Sequence, residues 1–94
     1  MNNPKALLVT TAHRGVFFGY GTPTDGPTIE LERARMCIYW PQESHGVLGL
    51  AADGPRRGAR IGPAAPRIIL RDVTAVIEVS AEAAEKWEKE PWTQ

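Results

Sequence analysis

Ninety-four residues, 43% of them hydrophobic, suffice for one domain with a single core. No run approaches the ~20 apolar residues that cross a bilayer, and eleven Lys/Arg against eleven Asp/Glu give a net charge of zero, which counts against nucleic acid as the main partner. Cys37 is the one cysteine, so neither an internal disulfide nor a cysteine metal cluster is available, and it reads as a buried small hydrophobe.

The opening stretch "MNNPKALLVTT" has a short apolar run and lacks the longer one of a secretory signal, so a cytoplasmic location and no membrane association are expected. Residues 5–11, "KALLVTT", are apolar and β-branched, as a strand requires. "AHRG" follows as a turn, and 16–22, "VFFGYGT", returns as the second arm of a hairpin. Phe17 and Phe18 point to opposite faces of that arm, which places one of them on an outer face. Gly19 and Gly21 mark a bulge or sharp bend. After the "PTDGP" turn, 28–34 alternates with Ile29, Leu31 and Arg33 on one side and Glu30, Glu32 and Ala34 on the other. A separate strand, "MCIYW", is expected at 36–40, then a loop at 41–46 and a short strand at 47–52, "VLGLAA". Residues 53–66, "DGPRRGARIGPAAP", read as a long loop, a kind often tied to function. "RIIL" at 67–70 and "TAVIEV" at 74–79 are strands joined by a tight turn or forming one bent strand. Ser80 is a candidate N-cap for a helix over 81–90 whose face of Ala83, Ala84 and Trp87 docks on the sheet. The fold class is mainly β within α+β: a single domain with a strongly bent small sheet or SH3-like or Sm-like barrel over 1–79 and one C-terminal helix at 80–90.

The charges are unevenly distributed. Residues 1–77 hold nine Lys/Arg and six Asp/Glu, and 78–94 hold two and five. Arg56, Arg57, Arg60, Arg67 and Arg71 fall within sixteen residues that contain no acid, a candidate footprint for phosphate or an acidic partner.

Catalytic and cofactor signatures do not emerge. There is no G-x-x-x-x-G-K-[ST] and no G-x-G-x-x-G between a strand and a helix. His13 and His45, the only histidines, stand 32 residues apart without metal-ligand spacing, so no metal and no cofactor are expected. Ser44 beside His45 is a poor nucleophile–base pair, since adjacent residues rarely face each other, and Glu30 with Glu32 reads better as a solvated strand face than as paired acid and base. No enzyme is expected, and a small hydrolase using His13 or His45 ranks last. The candidate ligand-binding residues are His13 and Arg14 at the hairpin tip, Tyr39, Trp40 and His45 around the 41–46 loop, and Arg56, Arg57 and Arg60. Aromatics beside arginines stack bases and hold phosphate, and they also anchor protein interfaces. Strand alternation sends at least one of Tyr39 and Trp40 inward.

"VTTAHRGVFFGY" (9–20), "ARMCIYW" (34–40), "GLAADGP" (49–55), "RIGP" (60–63) and "VTAVIEVSAEAAEKWE" (73–88) together resemble a family of small uncharacterised phage and prophage proteins. The resemblance implies a phage setting and the host cytoplasm, and carries no catalytic role. The expectation is a non-catalytic binding module, a homo-oligomer, that counters host defence by sequestering a nucleotide-type ligand or blocking a host defence protein. The alternatives are a barrel binding single-stranded RNA or DNA and a structural phage accessory protein.

Overall fold

The computed structural model describes residues 4–12, 15–42 and 45–90. Strand β1 (Lys5–Thr11) pairs antiparallel with β2 (Val16–Gly21), from Lys5 opposite Gly21 to Thr10 opposite Val16. The expected hairpin is present; its tip residues His13 and Arg14 lie outside the described residues. Side-chain alternation along β1 sends Leu7 and Val9 into one apolar cluster and Leu8 into another, so both faces of the sheet are covered. That corrects the expectation of an outer face: Phe18 is fully buried in one cluster, and Phe17 packs half-buried against the other.

The expected strands at 28–34 and 36–40 are one strand, β3 (Ile29–Tyr39). It is continuous because Arg33, at φ 51, forms a bulge: Phe18 pairs with Arg35 and Tyr20 with Glu32, so β3 has one residue more than β2 between these pairs. The extra residue reverses the phase of the strand. Ala34 rather than Arg33 joins Ile29 and Leu31, Arg33 is exposed, and Cys37 enters the opposite cluster.

β3 shares its other edge between β4 (Arg60–Ile61) and β5 (Ala65–Leu70), and β6 (Val73–Glu78) pairs with β1, giving the order β4/β5–β3–β2–β1–β6. Only Arg71 and Asp72 separate β5 from β6, which lie at opposite ends of that order. The link is therefore a corner and not a hairpin. Asp72 takes φ 57, its carbonyl accepts from the Ala12 amide at 2.9 Å, and the Val73 amide donates to the Pro27 carbonyl at 3.0 Å. The chain crosses from one edge to the other and the sheet bends strongly, but it is not closed into a barrel. Leu7, Val9, Ile29, Leu31, Ala34 and Leu70 are buried together, with Phe17, Ile68, Val73 and Val76 around them. β2 and β3 approach so closely that a Cβ on Gly21 would lie 2.5 Å from the Glu30 carbonyl oxygen.

The other face is roofed by two helices, α1 (Gly46–Asp53) and α2 (Ala81–Lys89). Residues 47–52, expected as a strand, are the body of α1. Over six apolar residues periodicity does not separate strand from helix. Here left-handed residues bracket the segment, His45 at φ 63 and Gly46 at φ 73 before it and Gly54 at φ 82 after it, and tertiary contacts hold it. α2 matches its expected start, with the Ser80 hydroxyl accepting from the Ala83 amide at 3.0 Å. The same hydroxyl donates to the Ala52 carbonyl at 2.8 Å, tying the two helices together. Trp87, fully buried, stacks on Phe18 at 5.2 Å between ring centroids and donates its indole N–H to the Leu50 carbonyl at 3.1 Å. Residues 53–66 are not simply a loop: Gly54, Pro55, Ala59, Ile61 and Gly62 are buried, and Ile61 belongs to β4. Single apolar residues spaced among arginines and glycines carry no periodic signal, which hid this packing.

Candidate functional site

The sequence-derived candidates separate into two places. Arg56 and Arg57 line a groove of about 890 Å³ between the segment after α1 and the exposed side of α2. The groove exists because α1 ends close against α2. A Cβ on Gly54 would meet the Lys86 Cβ at 3.0 Å, and Gly54 also holds the positive φ that ends the helix. Its cationic groups are Arg56, Arg57, Lys86 and Lys89, facing Asp53, Glu82, Glu85 and Glu90. Arg56 reaches Asp53 at 3.6 Å in an exposed i,i+3 pair, and such pairs contribute under about 1 kcal/mol. Arg57 is exposed and makes no ion pair or hydrogen bond among the described residues.

The remaining candidates are not in this groove. Tyr39 stands opposite Arg60 across the β3–β4 ladder and is 52% exposed, while Trp40 packs half-buried against the helix-side cluster, so alternation turned one aromatic in and one out. Arg60 is engaged by its surroundings. His45 is exposed and occupies the N-cap of α1, where its backbone amide donates to the Gln42 carbonyl at 3.2 Å and its side chain caps nothing. The structure thus unites Arg56 with Arg57 and Tyr39 with Arg60, leaves His45 at a helix start, and does not gather the whole set into one pocket.

Sequence reading missed a second cluster. Arg35 is 6% exposed on β3; its Nε donates to the Gly62 carbonyl at 2.8 Å and its Nη1 to the Trp87 carbonyl at 2.6 Å. Trp87 lies in the last turn of α2, where carbonyls lack helical partners, so Arg35 caps the negative end of the helix dipole from beneath. Burial lowers the Arg35 pKa, and the charge of Glu90 acts in the opposite direction. Beside it the Arg33 guanidinium lies 4.1 Å from the centroid of the Tyr20 ring and 3.2 Å from Glu88, and the Tyr20 hydroxyl donates to the same carboxylate at 2.5 Å. Burial first, and then the bond to Glu88 and its charge, push Tyr20 up to about 12, with Arg33 opposing. Arg33, Arg35, Glu88 and Glu90 edge a pocket of about 310 Å³ with Phe18, Pro63 and Ala64. The available signal was "RAR" at 33–35, between the alternating "IELE" and the apolar "MCIY" of the same strand, where a bulge puts one arginine outside and the other in.

Cys37 is buried as a small hydrophobe, its thiol donating weakly to the Tyr39 carbonyl at 3.7 Å. Burial pushes the thiol up to about 12, with the Tyr39 backbone acting in the opposite direction. It is no activated nucleophile. Among the described residues, no helix is long and apolar enough to cross a membrane. No curated protein and no solved structure matches the chain. A family model does, over residues 4–87: this chain belongs to DUF6948, a family described as a domain of unknown function.

Proposed function

We propose that this protein is a non-catalytic binding module of a phage, acting against host defence by holding a nucleotide-type signal in the groove beside α2. The observation that carries the reading is Arg57, an exposed guanidinium without a partner among the described residues, set in that groove next to Arg56, Lys86 and Lys89. A phosphate displaces little there, because Arg56 gives up only an exposed pair with Asp53. The groove's volume falls within the ~300–1,000 Å³ of small-molecule sites. The carboxylates across the groove disfavour a bare polyanion and suit a ligand with both phosphates and sugar hydroxyls, since ionised Glu and Asp only accept hydrogen bonds. A nucleotide has both. The phage setting is supported by the resemblance of "VTTAHRGVFFGY", "ARMCIYW" and "RIGP".

Thermal shift and calorimetric titration with cyclic dinucleotides and ADP-ribose derivatives test this. The expected result is a ligand-dependent rise in Tm that Arg57→Ala weakens at least tenfold in Kd and Arg56→Ala with Arg57→Ala abolishes, while the ligand-free Tm stays within a degree or so. No shift from any of these ligands would reject the nucleotide reading; a host defence protein retained on immobilised protein would then establish the protein-blocking reading instead. Tight binding of single-stranded RNA or DNA that falls steeply with salt would replace both.

A further inference from the structure

The two free edges of the bent sheet are chemically unlike. On β5, which among the described residues pairs only with β3, Pro66 and Arg67 sit within the strand and Arg71 follows it. Proline lacks the donor a ladder needs and exposed charge resists pairing, so this edge is protected against further strands. β6 has no such device: Val73–Ile77 contains no Lys, Arg or Pro. Its single charge, Glu78, is already met by Lys5 at 3.6 Å. Among the described residues no strand pairs with the outer edge of β6. Its first amide, Val73, is taken by Pro27, which leaves the edge from Thr74 onward.

The geometry points to a second copy of this chain as the partner of that edge, paired antiparallel, β6 to β6, about a twofold axis at Val76. The backbone phase selects this register. The Val79 amide donates to the Ala6 carbonyl, and in an antiparallel ladder alternate residues turn their groups to the same side. Ile77 therefore faces β1 as Val79 does, and Val76 and Glu78 present their N–H and C=O groups outward. An outer ladder centred on Val76 sets Val76 opposite its own copy and Thr74 opposite Glu78 of the second chain. No like charges then oppose each other, and each Thr74 hydroxyl, hydrogen-bonded to Thr10 Oγ1 at 2.7 Å, can accept there while it donates to the facing carboxylate. Val73 and Val76 are half-buried at the rim of the cluster inside the bend, so the second strand continues an existing core and covers their remaining apolar surface. An isologous contact of this kind closes at two copies, whereas pairing of β6 with the β5 edge of a further copy would run on.

Sedimentation or light scattering of the full chain, joined to amide exchange, tests this. Wild type is expected at the two-chain mass, with the Val76 and Glu78 amides exchanging slowly. Thr74→Glu sets a carboxylate opposite Glu78 of the second chain and is expected to give a folded monomer in which those two amides exchange at least tenfold faster. Val76→Pro removes an outward N–H and is expected to do the same; if it unfolds, Thr74→Glu and the exchange rates decide. Ile69→Lys, on the protected β5 strand, is expected to leave the dimer intact. A wild-type monomer at every concentration reached, or a dimer whose Val76 and Glu78 amides exchange as fast as in Thr74→Glu, overturns the proposal. None of these readouts depends on the groove ligand.

Discussion

The two faces of the sheet are buried by different means. On one, the bend brings Leu7, Val9, Ile29, Leu31, Ala34 and Leu70 together, so the sheet is its own cover. On the other, a separate roof of α1 and α2 sits on Phe18, Leu8 and Cys37, fastened at a few points: the Trp87–Phe18 stack, the indole bond to Leu50, the Ser80 bridge to Ala52, and Arg35 under the end of α2. The first core depends on backbone curvature and contains no polar side chain among its buried members. The second depends on a small number of directed contacts, and it is the one that shapes the groove of Arg56 and Arg57. A helix of nine residues does not persist alone in water, so the groove stands or falls with these fastenings.

The largest effect should come from the roof's anchor. Trp87→Ala is expected to cost about 3–5 kcal/mol in chemical denaturation, and amide exchange should show α1 and α2 losing protection before β1 and β2. Uniform loss across the chain would mean that the two faces form one cooperative unit. On the other face, Gly21→Ala forces a methyl against the Glu30 carbonyl and is expected to cost about 1–3 kcal/mol by prying β2 from β3. Its exchange signature should be the reverse, strongest in the strands. Ser80→Ala removes both the cap and the bridge between helices, for about 1–2 kcal/mol, with faster exchange at the start of α2.

The smallest effect at neutral pH is expected from Cys37→Ala, about 1 kcal/mol, because only one buried atom is lost. Its value lies in the alkaline range. The folded state holds the thiol proton up to about 12 against an ordinary value of 9.0, so the stability linked to that proton is complete below pH 9 and is lost as pH rises toward 12. Tyr20, raised from 10.0 to about 12, adds a second loss in the upper part of the same window. Melting curves from pH 8 to 11 should fall less steeply for Cys37→Ala than for wild type. In native protein the thiol should also resist a disulfide reagent that reacts at once after unfolding.

Much of the frame was legible because local signals were strong. The β1–β2 hairpin follows from "KALLVTT" and "VFFGYG" around a glycine turn, and α2 follows from Ser80 and a run of Ala, Glu and Lys. The site was legible only as composition: Arg56 and Arg57 do share a groove, but nothing local joins them to Lys86 and Lys89, thirty residues on. Arg33 and Arg35 were missed as a pair because their separation depends on one residue adopting positive φ.

The residues alone settled the alternation of β1, the hairpin and the capped helix, since each rests on neighbours within a few positions, and the buried Cys37 thiol, since a lone cysteine packs as a small hydrophobe. Tertiary structure decided three things. It made a helix of "GVLGLAAD", a run with no periodic preference, because Leu50 and Ala51 had to meet Trp87 and Ser80. It shifted the phase of β3 at Arg33, because β2 pairs on both sides of the bulge. And it turned Arg71–Asp72 into a corner instead of a hairpin, because β5 and β6 each found a better partner strand far away in the chain. Contacts between distant segments outweigh local propensities of a few tenths of a kcal/mol per residue.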